Sequence, residues 1–246
     1  MKRFFVGIIT SLVILSACKK KHSSSDPPVT STMTPEVTFY GSFVAWNEYM
    51  IPLSSSGTPN YLKSCVRVFL TANPSTEHST GYPITPPGFA IMNSDSLYYN
   101  AAALEKNLSN EIFNPLNWNI GPSASTSSFS TQSNFLFPIF ISNSYFNDTV
   151  SKSVGLNMTI GNIGNATSVI VGISDSLSFI VTKEATINGA TATVNIPPNE
   201  ISFLSNVNNG YYYLVLSTKN YKVINSKNYL FANSIIERKT GLTIVN

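Results

Sequence analysis

The sequence predicts an all-β protein folded as antiparallel β-sandwich, and three observations carry that expectation. From residue 37 onward apolar residues recur at every second position in short runs, the signature of strands buried on one face. Only 11% of residues are charged, while Ser, Thr, Asn and aromatics abound; an ordinary soluble domain carries roughly 25% charge. Turn formers separate the apolar runs, and no helical period persists for long.

The chain opens with a segment that does not read as part of the fold. Met1-Lys2-Arg3 is a basic start, and residues 4–14 are apolar but too few to cross a bilayer as a permanent helix, the pattern of a secretory leader. Leu15-Ser16-Ala17-Cys18 follows directly. It resembles the lipobox of bacterial lipoproteins, in which the Cys sulfur receives diacylglycerol and the leader is cut immediately before it. The resemblance implies that residues 1–17 are discarded and that Cys18 is lipidated. Two or three acyl chains, at about 0.8 kcal/mol per buried methylene, make a lasting anchor.

Residues 18–36 hold Lys19-Lys20-Lys21-His22 and then a Ser-, Thr- and Pro-rich run nearly devoid of large apolar side chains, a tether. Its lysines suit anionic headgroups as well as they suit plain water. Lipoproteins of the Bacteroidetes type that reach the cell surface tend to carry acidic residues after the Cys. The position is basic here, so the resemblance, which implies an anchor in the outer membrane, leans toward the periplasmic face, with exposure at the cell surface as the alternative.

Strands are expected at residues 37–45, 61–71, 89–92, 96–100, 116–120 and 134–142, with Pro138 placing the last at an edge or bulge. The stretch beginning at Ala101, with Glu105 and Glu111 flanking Leu108, reads as short and helical. In the second half Leu156, Met158 and Ile160 share a face, and strands are expected at 168–173, 177–182, 191–196, 210–218, 227–232 and 242–245. Asn188-Gly189 suits a type I′ turn pairing residues 184–187 with 191–194. Asn209-Gly210 is a second turn signal, and residues 198–204 suit a helical turn. Polar residues at 148–153 mark a boundary between a β-domain over residues 37–150 and an Ig-like sandwich over residues 151–246; one continuous sandwich would show much the same pattern.

Ser96-Leu97-Tyr98-Tyr99, Trp118-Asn119-Ile120-Gly121, Phe137-Pro138, residues 153–160, Ser168-Val169-Ile170-Val171 and residues 229–233 together resemble uncharacterised lipoproteins of Bacteroidetes-type bacteria. The resemblance spans most of the chain after the tether and implies a β-sandwich body in the cell envelope. It implies no activity.

Composition narrows the function classes. The formal charge falls from +3 to +1 once Lys2 and Arg3 are discounted, and a near-neutral body without a basic stripe lacks the footprint of nucleic-acid binding. Cys18 and Cys65 are the only cysteines, so with one lipidated there is no disulfide framework; Cys65 reads as a small buried hydrophobe. The metal and nucleophile motifs H-E-x-x-H, paired Cys and G-x-S-x-G are missing, and the histidines are His22, in the tether, and His78, in a polar loop. The sequence therefore assigns no catalytic residue, metal ligand or cofactor. Glu48, Glu105 and Glu111 are the carboxylates with apolar neighbours that glycoside hydrolysis would draw on. Asn143, Asn147, Asp148, Asn162 and Asn165 offer oxygens for calcium but suit turns better.

Two further patterns stand out. Trp46, Tyr98, Tyr99 and Trp118, with the triplet Tyr211-Tyr212-Tyr213, supply rings that could stack on sugars or pack in a core. Asp95-Ser96-Leu97, Asp148-Thr149-Val150 and Asp175-Ser176-Leu177 resemble the Asp-Ser/Thr-aliphatic acceptor of Bacteroidetes-type O-glycosylation, which implies Ser96, Thr149 and Ser176 as modified residues on exposed turns. The functional expectation is a non-catalytic binding or structural module, displayed from a membrane and directed at a glycan or a cell-envelope protein. An extracytoplasmic glycan hydrolase and an adhesin or pilus-type subunit are the alternatives.

Overall fold

The computed structural model describes residues 38–54, 59–75, 87–100, 103–123, 126–176 and 180–246. The leader, Cys18, the tether with His22, and His78 lie outside the described residues. The fold within them is all-β. Its strands are β1 (Phe39–Pro52), β2 (Asn60–Ser75), β3 (Ala90–Met92), β4 (Asp95–Ser96), β5 (Tyr98–Asn100), β6 (Ala103–Leu108), β7 (Leu116–Ile120) and β8 (Phe129–Ser133), followed by β9 (Thr149–Ser151) and β10 (Leu156–Gly161). The chain continues through β11 (Ser168–Ser174), β12 (Ile180–Glu184), β13 (Thr186–Asn188), β14 (Thr191–Ile196), the single helical turn α1 (Pro198–Ile201), β15 (Val207–Ile224) and β16 (Lys227–Val245).

Among the described residues these strands make one sheet of nine and two smaller ones. The large sheet runs β12-β11-β15-β16-β1-β2-β6-β5, with β9 also paired to β16; the smaller are β10-β14-β13 and β4-β3-β7-β8. Pairing is antiparallel except along β16, which takes β1 in parallel from Ser42↔Leu230 to Pro52↔Thr240 and then β9 in parallel from Thr243↔Thr149. Strands from both ends of the chain thus share one sheet.

Both small sheets pack on the same face of the large one, termed the inner face, and each closes a core. In the first, Leu156, Met158, Ile160, Val194 and Ile196 meet Val169, Val171, Ile173, Leu214 and Leu216. In the second, Met92, Leu116, Trp118 and Ile120 meet Phe43, Val66, Val68, Tyr229 and Phe231. Phe43 anchors the second core, stacked on Phe231 at 4.7 Å and edge-on to Trp118 at 5.3 Å. Alternation at period two produces this layering directly, since every second side chain of a strand points the same way.

Between the two cores the inner face turns polar. Residues 134–142, expected as a strand, form none: Pro138 supplies no N–H, and side chains of the large sheet take over the segment's backbone bonds. Asn233 Nδ2 donates to Phe135 O at 2.7 Å, Thr218 Oγ1 to Leu136 O at 2.8 Å, and Lys239 Nζ to Ile141 O at 2.7 Å, while Ile141 N–H donates to Glu237 Oε1 at 2.8 Å. Asn47 clasps Ile112 in the same way, accepting its N–H and donating to its carbonyl, both at 2.9 Å. The fully buried Glu237–Lys239 ion pair, 2.7 Å apart, belongs to this seam. Buried polar side chains here satisfy the backbone of irregular segments that cross the sheet.

Other departures from the sequence expectation have equally local causes. The stretch read as helical from Ala101 is not helical over its described residues, which begin at Ala103. Its described part, β6, pairs with β2 from Ser64↔Leu108 to Val68↔Leu104, and the Arg67–Glu105 ion pair joins the two strands; tertiary pairing overrides the helix preference of Leu, Glu and Lys. The hairpin near Gly189 turns one residue later than expected: Asn188 pairs with Thr191, leaving Gly189-Ala190 as the loop, with Gly189 at φ +60°. Positive φ at the first central residue alone is the type II′ pattern rather than I′. Type I′ geometry occurs instead at Asn225-Ser226 (φ +50° and +62°) between Ile224 and Lys227. Asn209-Gly210 is not a turn but a bulge within β15.

Candidate functional site

The sheet's other face, termed the outer face, carries a groove of roughly 80 Å³. Five adjacent strands line it. β1 contributes Val44 and Trp46, β2 contributes Arg67 and Phe69, and β11 contributes Ser168 and Ile170. From β15 come Val215, Ser217 and Lys219, and from β16 come Leu230, Ala232 and Ser234. Along the groove the even-numbered positions of β1 and β16 and the odd-numbered ones of β2 and β15 face this way because the inner cores claim the opposite set there.

The floor is apolar and the walls carry hydroxyls. Trp46 is 2% exposed, and its indole Nε1–H is buried without a hydrogen-bond partner, a donor that a bound acceptor would satisfy. The Arg67 guanidinium lies 5.5 Å from the Trp46 ring centre and 5.7 Å from that of Phe69, while its nitrogens engage Glu105, Nε at 2.7 Å. Ser217 and Ser234 share a hydrogen bond at 2.7 Å. Lys219 adds a second cation. A space of this size holds roughly half a dozen water-sized groups, so it suits one terminal moiety rather than a polymer. Such a lining can hold an apolar or ring-shaped end with an acceptor or anionic atom toward the indole and the cations.

The aromatic residues singled out from the sequence scatter. Trp118 is buried in the N-terminal core, and Trp46 has one ring face under Arg67, so neither offers an open stacking surface. Tyr98 and Tyr99 are 66% and 60% exposed on the edge strand β5, yet as neighbours in a strand they point to opposite sides and cannot form one platform. Tyr212 faces the inner core and donates to Asn147 O at 2.9 Å; Tyr213 is buried on the outer face, where burial raises its phenol.

The carboxylates and the thiol are similarly placed. Glu48 is fully buried between Lys63, at 3.4 Å, and Arg238, Glu105 is held by Arg67, and Glu111 acts on Tyr49. Each is engaged by a cation or a phenol rather than by a second carboxylate. Cys65 is 2% exposed, and burial pushes its thiol up to about 12, so it remains an unreactive SH. The asparagines considered for calcium serve loops: Asn143 donates to Pro52 O at 2.9 Å, Asn162 to Tyr145 OH at 3.0 Å and Asn165 to Leu136 O at 3.2 Å.

Ser96, Thr149 and Ser176 are all exposed, at the end of β4, the start of β9 and just beyond β11. Thr149 Oγ1 donates to Asp148 at 3.3 Å, and Ser176 Oγ to Asn209 O at 2.6 Å. The groove itself is the feature the sequence did not disclose, because it is assembled from five strands spread over residues 42–234. Comparison of the sequence with known protein families finds no family that matches, and comparison with curated proteins finds no match.

Proposed function

We propose that the protein is a non-catalytic binding module, displayed from the outer membrane on a lipid-anchored tether, that takes a small amphipathic terminal group of a glycan or cell-envelope molecule into the outer-face groove. One observation carries the choice of site: the buried, unpartnered indole N–H of Trp46 in an apolar groove flanked by Arg67 and Lys219. The leader and lipobox of the sequence support export and anchoring at Cys18. In this reading the C-terminal half is an Ig-like sandwich in the periplasm, and Ser96, Thr149 and Ser176 are accessible acceptors for sugar.

The test is a thermal-shift panel of small probes, namely benzoate, hexanoate, glucuronate and neutral monosaccharides, run on the wild type and on Ala232→Met, which fills the groove. A ligand at about a hundred times its Kd adds ~2.7 kcal/mol of stability. At least one amphipathic anion should raise the wild type's melting temperature and leave that of Ala232→Met unmoved. Equal responses in both proteins, or silence across the panel, would count against the groove as the site.

A further inference from the structure

We infer that the tip of the β15–β16 hairpin is a membrane-contact surface that rests in the headgroup layer of an anionic bilayer. This rests on the lipid-anchor reading and deepens it by stating which end of the body meets the membrane. The described chain begins at Thr38, whose carbonyl accepts from Asn228 Nδ2 at 3.2 Å. Asn228 lies two residues past the Asn225-Ser226 turn. The described chain therefore enters the body beside this tip, and in the lipid-anchor reading the tether leads to this point.

The tip has the composition of a surface that meets headgroups. Val223 is 71% exposed and Tyr221 is 49% exposed, and both occupy the same face of β15 because they are two positions apart. From Asn220 to Ser234 the sequence contains Lys222 and Lys227 and no Asp or Glu; both are half-buried, Lys222 reaching the Gln132 carbonyl and Lys227 lying over the Tyr40 ring. A shallow apolar residue, a ring with a polar end and basic neighbours are the elements that hold interfacial segments against anionic lipid. Two exposed apolar side chains fall far short of the roughly 800 Å² per partner that a stable protein interface buries. A weak lipid contact suffices here, since the tether makes the encounter intramolecular.

The far end of the molecule supplies a control. Val154, 76% exposed, sits in the turn after β9, where Lys152 N–H donates to Val245 O at the last residue of β16. At about 3.3 Å per residue, the 19 residues of β16 put that turn up to ~60 Å from the tip, at the other end of the strand.

Val223→Cys and Val154→Cys, each labelled with an environment-sensitive fluorophore, are purified as the mature protein from the native host's membranes. They are then reconstituted into phosphatidylglycerol–phosphatidylcholine vesicles bearing a headgroup spin quencher; Cys65 is buried and takes no label. With both variants melting as the wild type does, the label at 223 should be quenched at least threefold more than the label at 154. Protein that floats with the vesicles while 223 is quenched no more than 154 overturns the tip contact alone. Protein that does not float overturns the anchor and the contact together.

Discussion

At the scale of the residue, the informative positions are buried polar ones whose partners lie far away in the chain. Asn47 bonds Ile112, and Glu237 and Lys239 bond the backbone of Ile141, nearly a hundred residues away. Nothing local in the sequence announces such a role. Cys65, by contrast, was legible as a small buried hydrophobe because its neighbours alternate cleanly. Glu237 yields a signed prediction. Burial pushes its carboxyl above the ordinary range, and Lys239 opposes this only in part. A raised folded-state value stabilises below the pH where a free Glu titrates, about 4.3, and that stabilisation is lost as pH rises through the folded value. The melting temperature of Glu237→Gln should therefore gain on the wild type's between pH 4 and pH 7, as read by circular dichroism. A melting temperature of Glu237→Gln that instead gains on the wild type's as pH falls from 7 to 4 would contradict the burial argument.

The elements divide by how many faces they bury. β7 and β10, with one face in a core and one in solvent, were read from alternation to within a residue. In the sequence β16 shows as two fragments, because residues 231–237 are all buried and carry no alternation, and because Glu237, Arg238 and Lys239 resemble a loop until their partners are known. β8, Phe-Ser-Thr-Gln-Ser, carries no strand signal in the sequence, since its only large apolar residue is Phe129. The two hairpin turns give a matched test. A Cβ at Gly189 would meet nothing within 4 Å, so Gly189→Ala should cost only the torsional price of a positive φ, ~1 kcal/mol. Ser226 already stands at φ +62°, so Ser226→Gly should gain up to about 1 kcal/mol. Urea titration of both variants reads the signs; an unchanged midpoint in both would show that these turns do not carry the strain.

The described fold is organised around β15 and β16, which cross both cores and pair with strands from both halves of the chain. The polar cluster at residues 148–153 falls just where β9 joins β16 beyond the end of β1. Separate unfolding of the two cores would strand half of each long strand without its packing, so calorimetry should show one cooperative transition, with the slowest-exchanging amides in β16. Two resolved transitions would contradict that coupling. The all-β layering was legible because it follows from period-two patterning. The groove and the tip were not, because each depends on which strands become neighbours.

The proposed display on a membrane and the proposed contact of the hairpin tip both depend on lipid at one sulfur. Mass spectrometry of the N-terminal peptide from protein extracted from its host's membranes tests this most directly. The expected peptide begins at Cys18 and carries a diacylglyceryl thioether. A chain that begins elsewhere, or an unmodified Cys18, would contradict it.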